Sequence, residues 1–426
     1  MERVITTPIM EEGLLADVEG EFITDLIPKN PDLDELMTVL YARGHGAWIV
    51  GGAVRDCLLG QTPDEYDICT TATPKEVQQG FQDTIPTGID YGTVTVRIGK
   101  SIFEVTTLRT ETAYGDGRRP DMVHFGSSLK VDLSRRDFTI NAMAYDYARS
   151  LLHDPFDGKS DLEKGKLRAV GNASQRLSED GLRILRAYRF MDRQDKGLWL
   201  PDYDLSAALI DNRAMLAMVS IERVWNELSR IILGKNAGTV LSRMNTDGVL
   251  ATITGFPLST EVFELLDKIS YDLEARIAVL FYALKTDEVI IIMERLKVSK
   301  VTFLRVQYLH SLLDKYPSPT ELRLYRNALG KEVNTHAEIR EATGKETDLI
   351  IKSLQHPSDV KCLIDGEWIM NKTGLRPGVK LGRLKDWLFK IQIERGYNEL
   401  TQIETALCTI PWQNGNPEEW PRPKWP

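Results

Sequence analysis

The sequence predicts an α/β head built on a mixed sheet, followed by an all-α second half. Three observations carry that prediction. Between residues 31 and 110, short apolar runs alternate with helical patterns, as in a layered domain of strands and helices. From about residue 162 the pattern changes to amphipathic helices separated by short breakers. The length of 426 residues, with 42% hydrophobic and 27% charged residues, suits several ordinary folded units of roughly 100 to 200 residues each.

Taken in order, "DLDELMTVLYARG" reads as a helix, "AWIV" as a strand, Gly51 and Gly52 as a turn, and "AVRDCLL" as a helix stopped by Gly60. "EYDICT" reads as a strand, "TPKEVQQGF" as a helix, and "TVTVRI" and "FEVTTL" as two further strands. The polar stretch "RTETAYGDGRRPDMVHFGSS" interrupts the pattern before "RRDFTINAMAYD" resumes it. A loop of that length inside a compact domain is more often functional than idle. Helices follow at "SEDGLRILRAYRFMDRQ", "SIERVWNELSRIIL", "STEVFELLDKI", "ARIAVLFYALK", "DEVIIIMERLKV" and "GRLKDWLFKIQIERG". The final "NGNPEEWPRPKWP" carries too much proline for regular structure, and no internal repeat is found.

A net charge of -9 argues against a protein that coats nucleic acid through its overall field, and leaves room for a local basic surface. The cysteines, Cys57, Cys69, Cys362 and Cys408, show neither CxxC spacing nor nearby histidines, so a zinc site and a disulfide framework are not expected. The start lacks a basic segment leading into an apolar core, and no run of about 18 apolar residues occurs. The expectation is a cytoplasmic protein that does not enter a membrane.

Four constellations carry candidate chemistry. Gly51 and Gly52 let a ligand approach the backbone at a helix N-terminus, which suits an anion, and Arg55 lies one turn further on. The plain alternative is a strand-to-helix turn. Glu65 and Asp67, two apart on a strand, share a face, and Glu104 on a later strand is the candidate third carboxylate or else a solvent-facing residue. Carboxylates so placed can hold two metal ions that activate an attacking hydroxyl and steady a leaving group. "RRDFTINAM" offers Arg135, Arg136, Asp137 and Asn141, fit for phosphate and sugar contacts or for a surface salt-bridge cluster. In "LSEDGLRILRAYRF", Ser178 reads as an N-cap with Glu179 and Asp180 in the first turn. Asp180 and Arg183 then share a face as an ion pair, which Arg186 and Arg189 continue.

A basic strip lies further on, where Lys372, Arg376, Lys380, Arg383, Lys385, Lys390 and Arg395 outnumber Asp386 and Glu394 between residues 370 and 396. Such a strip can track phosphates or can be an ordinary solvated helix face.

Together "IVGGAVRDCLLG", "YDICTTATP", "YGTVTVRI", "FEVTTLRT", "RRDFTINAM" and "EDGLRILRAYRF" resemble the class II CCA-adding enzymes, the tRNA nucleotidyltransferases, and their relatives the bacterial poly(A) polymerases. The match is nearly continuous from about residue 40 to 235 and weaker to about 400. The resemblance implies a polymerase-beta-like nucleotidyltransferase head at 1–161, a neck at 162–235, a helical body at 236–315 and a tRNA-binding tail at 316–426. It implies CTP and ATP as substrates, tRNA as partner, Mg²⁺ at a two-metal site on Glu65 and Asp67, and no obligate protein partner. The family carries Asp-x-Asp where this chain has Glu65-Tyr66-Asp67. Glutamate keeps the charge but extends it by one methylene, and Mg²⁺ demands near-octahedral ligands at about 2.0 to 2.1 Å. Asp64 is no substitute, since three-residue spacing on a strand points it to the opposite face.

The resemblance gives "RRDFTINAM" the selection of ribose over deoxyribose, and Asp180 and Arg183 the reading of the base. Cytosine and adenine each present an amino donor beside a ring-nitrogen acceptor, which a carboxylate next to a guanidinium matches; uracil and guanine present the reverse. The loop with Asp116, Arg118 and Arg119 is similar to the flexible loop of members that add the terminal A. Glu222 and Arg223 resemble the neck helix's polar pair, with a stabilising role, and the strip with Lys372, Arg376, Lys380, Arg383 and Lys385 resembles the part that grips tRNA. No histidine-aspartate phosphohydrolase module is expected. Poly(A) polymerase, a partial adder of CC or A, and a catalytically silent RNA-binding relative with Glu65 as its lesion all stay open.

Overall fold

The computed structural model describes residues 16–112, 122–126 and 128–425, which fall into two compact units. The first holds the residues up to 236 and 240–257; the second holds 237–239 and those from 258 on. The segments expected as head and neck thus lie in one unit, and residues 240–257 group with them.

Ten strands and four helices form the head: β1 (Gly20–Phe22), α1 (Pro31–Ala42), β2 (Ala47–Val50), α2 (Gly52–Leu58), β3 (Tyr66–Thr70), α3 (Pro74–Gly80), β4 (Thr84–Gly88), β5 (Thr93–Ile98), β6 (Ser101–Thr107), β7 (Arg109–Thr112), β8 (Met122–Phe125), α4 (Leu129–Ser134), β9 (Ala144–Asp146) and β10 (Leu151–His153). Eight strands form one sheet in the order β1-β10-β9-β2-β3-β6-β5-β4, antiparallel except for β3 with β6. Strand alternation sorts its two faces. Ile49, Ile68, Val94, Phe103 and Val105 pack under Leu33, Leu36 and Leu40 of α1, Val54 of α2 and Val77 of α3. Trp48, Val50 and Cys69 face the other way, against Leu129 and Leu133 of α4. Asp67 pairs with Val50 across β2–β3 and with Glu104 across β3–β6, so both carboxylates fall on that second face.

The ends of the polar stretch pair as the hairpin β7–β8. Asp116, Arg118 and Arg119 lie outside the described residues.

The first unit continues through α5 (Gly158–Lys164), β11 (Lys166–Leu167), α6 (Ala173–Glu179), α7 (Leu182–Met191), β12 (Leu200–Pro201), α8 (Tyr203–Asp211), α9 (Ile221–Ile232), α10 (Ala237–Thr246) from residue 240 on, and α11 (Val249–Thr254). The short parallel pair β11–β12 departs from the all-α expectation. The segment expected as one helix from Ser178 is two. Ser178 and Glu179 close α6, which Asn172 caps at its start, and Asp180 leaves helical geometry at φ −145°, ψ 107°. Ser178 is therefore no N-cap; its hydroxyl donates to the Gln175 carbonyl. Gly181 itself returns to helical geometry at φ −57°, ψ −22°, and only glycine fits there, since a Cβ would sit 2.4 Å from the Met215 carbonyl oxygen. Asp180 instead caps α7, accepting from the Leu182 amide at 2.9 Å.

The second unit is helical: α12 (Phe263–Leu266), α13 (Leu273–Leu280), α14 (Thr286–Arg295), α15 (Lys300–Leu312), α16 (Leu322–Leu329), α17 (Glu332–Ala342), α18 (Asp348–Ser353), α19 (Gly366–Thr373), α20 (Val379–Arg395) and α21 (Leu400–Thr409). Leu384 and Leu388 of α20 pack with Ile369, Ile403 and Trp420. The proline-rich end is irregular save for a 3-10 turn at Pro417–Glu419, yet it is anchored: Trp425 is buried with its ring edge-on to Tyr325 at 4.6 Å. Among the described residues no helix is long and apolar enough to cross a membrane.

Candidate active site

A cleft of about 560 Å³ opens in the first unit over the second face of the sheet. Glu65, one residue ahead of β3, and Asp67, within it, both line the cleft. Glu104 stands beside Asp67 in register but is not among the lining residues, and neither is Asp64. Burial raises the Asp67 carboxyl above its ordinary range and the charge of Glu65 adds to this, while Arg136 opposes it. Glu104 is raised by burial and then by Asp67 and Glu65. This mutual repulsion between oxygen donors is what a hard divalent cation relieves. Among the described residues, however, no three His, Cys, Asp or Glu side chains converge closely enough to hold an ion. The pair Glu65 and Asp67 fits a cation, with Glu104 set back.

Gly51 has φ 71° and ψ −125°, a conformation for glycine, and a Cβ there would lie 3.0 Å from Nη1 of Arg136. Its amide, expected to face an anion, already donates to the Met143 carbonyl at 3.3 Å. The helix start itself begins at Gly52, where α2 has no side-chain cap. Arg55 donates to Oδ1 of Asn141 at 2.6 Å and to Asp56 at 2.9 Å, which fixes it on the cleft wall.

Arg135, Arg136, Arg186 and Arg189 of the cleft are held by buried carboxylates. Asp132, fully buried on α4, takes Arg135 at 2.8 Å and Arg136 at 3.5 Å. Asp137, 8% exposed, accepts from the Phe138 amide at 2.8 Å and Asn141 at 3.1 Å on one oxygen. Its other oxygen takes Nε and Nη2 of Arg186 at 2.7 and 2.6 Å. Burial pushes this carboxyl up, but Arg186 and the other donors overcome it and hold it at about 2. Asp137 was expected to accept from a sugar hydroxyl; one of its oxygens is instead taken up by Phe138 and Asn141 and the other by Arg186. Arg189 is held at 2.6 Å by Glu227, which is 7% exposed. The ring of Phe190 lies under three guanidiniums, those of Arg55, Arg186 and Arg189, at 5.1, 5.3 and 4.3 Å.

Asp180 and Arg183 both line the cleft but are not paired as the sequence suggested. The break between α6 and α7 separates them. Asp180 is bridged to Arg223 of α9 at 2.8 Å. Arg183 donates to Glu179 at 2.7 Å and to the carbonyls of Arg176 at 2.8 Å and Arg135 at 3.0 Å.

Sequence reasoning passed over Asp132, Glu227 and Phe190 and gave Arg223 no chemistry. Asp132 was readable from its spacing to Arg135 and Arg136, and Arg223 with Glu227 from their shared helix face. Phe190 carries no charge signal.

In the second unit the basic strip is partly neutralised. Lys372 pairs with Glu404, Lys390 with Glu394, and Arg383 with Glu418 at 2.5 Å. Lys380 lies over the rings of Trp412 and Trp420 at 6.0 and 5.9 Å. Arg376 and Lys385 have no carboxylate partner among the described residues.

The family profile described as "Poly A polymerase head domain" matches residues 47–168, and that described as "Probable RNA and SrmB- binding site of polymerase A" matches residues 202–262. A CCA-adding enzyme of Lactobacillus johnsonii is 33% identical over 362 residues, covering 82% of this chain and 90% of that protein. The chain belongs to the CCA-adding enzyme family. A CCA-adding enzyme of Lactococcus lactis subsp. cremoris is 34% identical over 380 residues, covering 86% of this chain and 92% of that one. The structure of the Bacillus stearothermophilus CCA-adding enzyme in complex with CTP is matched with a TM-score of 0.77 at 27% identity, over 89% of this chain and 99% of that chain. CCA-adding enzymes are nucleotidyltransferases, and that chemistry depends on a divalent metal.

Proposed function

We propose that this chain adds C, C and A to the 3′ end of tRNA from CTP and ATP, without a template and with release of pyrophosphate, in the cytoplasm. One observation carries the mechanism: a single cleft gathers Glu65, Asp67, Arg136, Asp180 and Arg183. Glu65 and Asp67 would hold Mg²⁺, with Glu104 behind them. When bound, the metal supplies charge to stabilise the attacking and leaving oxygens.

The chain's own residues do the rest. The amides from Gly52 onward, with Arg55 and Arg136, hold the triphosphate. Arg135 lies close by, anchored on Asp132. Asn141 braces Arg55, and Asp137 braces Arg186. The 3′ hydroxyl attacks the α-phosphorus, and the bond to the bridging oxygen of pyrophosphate breaks. Asp180, steadied by Arg223, accepts from the amino group of cytosine or adenine. Arg183, whose Nε and one Nη2 hydrogen are not used by its protein contacts, donates to the ring nitrogen. Uracil and guanine set a ring N–H against Arg183 and a carbonyl against Asp180, donor to donor and acceptor to acceptor, and are refused. Residues 1–161 act as the catalytic head and 162–235 as the base-reading neck. Residues 236–315 form the body, and the 316–426 tail, through Arg376 and Lys385 above all, meets tRNA. Asp116, Arg118 and Arg119 serve the switch from C to A.

The test uses tRNA transcripts ending before the first C, after one C and after two, each with single nucleotides. CTP incorporation on the first two and ATP incorporation on the third support the reading. ATP tailing of a generic RNA without CTP use overturns it in favour of a poly(A) polymerase.

A further inference from the structure

A second cavity, of about 270 Å³, adjoins the cleft in the first unit, and Arg55, Arg189 and Phe190 line both. Among its other lining residues are Arg193, Lys196, Trp199 and Arg230. Its charges do not balance. Asp56 is taken up by Arg55, and Asp192 by the Gln194 amide at 2.8 Å and by the amide and side chain of Asn236 at 3.1 and 2.7 Å. Arg189 is answered by Glu227. Arg193, Lys196 and Arg230 have no carboxylate partner among the described residues. Lys196 donates to the Leu59 carbonyl at 2.9 Å, and Arg193 lies over the Trp199 ring at 5.1 Å. Nε of Arg193 and Nε1 of Trp199, a residue only 4% exposed, are buried without a hydrogen-bond partner.

Buried donors without acceptors are costly, and Arg193 with the exposed Lys196 and Arg230 brings more positive charge to the cavity than the Asp192 carboxylate offsets. Both are relieved by a small ligand made of acceptor oxygens and negative charge. The volume suits something smaller than most organic ligands, whose pockets begin at about 300 Å³. One such anion is produced next door. We propose that this cavity is a pyrophosphate-holding subsite, which receives the leaving diphosphate past Arg55 and Arg189 and binds it at Arg193, Lys196 and Arg230. The proposal rests on the reading of the cleft as a site of nucleotidyl transfer.

Lys196 and Arg230 are exposed, and their replacement is compatible with folding, to be checked by thermal melting. Calorimetric titration of metal-free protein with sodium pyrophosphate compares the natural chain with Lys196→Gln, Arg230→Gln and the double variant. The expected result is a binding component weakened at least tenfold in the double variant. In CMP addition, pyrophosphate inhibition should weaken by a similar factor while KM for CTP stays unchanged. Equal pyrophosphate affinity in all four proteins overturns the proposal. A second titration, with ATP, separates the sources of the same chemistry: variant-sensitive binding of ATP in place of pyrophosphate assigns the cavity to a nucleotide's polyphosphate end and overturns the product role. A raised KM for tRNA with unchanged pyrophosphate binding makes it an RNA contact and also overturns it. The titrations need no turnover, so a natural chain that binds pyrophosphate but adds no CMP tells against the transfer reading alone.

Discussion

Replacing Asp137 by asparagine removes a charge from a site where every lone pair in use faces a donor. One oxygen accepts from Phe138 and Asn141; the other takes two N–H groups of Arg186 at 2.7 and 2.6 Å. The asparagine amide would bring its own donors against one of these sets. A carboxyl held at about 2 against an ordinary 3.8 contributes roughly 2 to 3 kcal/mol at neutral pH. Because the folded value is the lower one, that contribution is complete above about pH 4 and fades as pH falls through about 2. Truncating one partner of a buried pair costs about 3 to 5 kcal/mol, and the near-isosteric asparagine should sit at the low end, near 3 kcal/mol. The assay is hydrogen exchange of residues 182–191 in rising urea, which isolates α7 from the second unit. A cycle with Arg186→Gln should show coupling of at least about 1.5 kcal/mol, and KM for both CTP and ATP should rise as Arg186 loses its brace. Losses that simply add, within about 0.5 kcal/mol, would refute the claim that Asp137 acts through Arg186.

Other outcomes follow from the same geometry. Arg223→Gln removes the bridge to Asp180, so preference for CTP over UTP in kcat/KM should drop about 10- to 100-fold; an unchanged ratio removes Asp180 from base reading. In metal-free protein, burial and Glu65 keep Asp67 protonated to higher pH than an ordinary aspartate. Glu65→Gln deletes a like charge and should lower the Asp67 titration point seen by carbon-detected NMR, whereas a rise or no change contradicts the assignment. Replacing Arg376 and Lys385 together should flatten the salt dependence of tRNA binding by roughly 1.5 in log–log slope, at 0.7 to 0.9 per phosphate contact. The paired Lys372 and Arg383 should matter less, and equal effects would show that their ion pairs open on binding.

Much of the head was legible because its strands and helices carry their own periods: "AWIV" and "TVTVRI" are β2 and β5 with no tertiary help. The three-residue strands β1, β9 and β10 are too short for a period, and β4, "TIPTG", hides behind proline and glycine. The break at Asp180 was hidden, since the Met215 carbonyl that crowds the neighbouring Gly181 lies on a distant stretch of chain. For the site, residue types and spacing singled out Glu65, Asp67, Asp180 and Arg183, all of which line the cleft. Their partners were less legible, since Arg223 reaches Asp180, and Glu227 reaches Arg189, only through the packing of α7 on α9. The tail's basicity was overcounted for a similar reason: Glu404 and Glu418 lie beyond the window in which the charges were weighed.

The one methylene that separates Glu65 from the family's aspartate is where the account is most exposed. Single-turnover addition of CMP to a tRNA lacking its CCA, in Mg²⁺, by the natural chain and by Glu65→Asp, tests it directly. Mg²⁺-dependent addition by the natural chain, followed by completion to CCA when ATP is supplied, is the expected result. Addition by the Glu65→Asp variant alone would contradict it and leave the natural chain an RNA-binding protein.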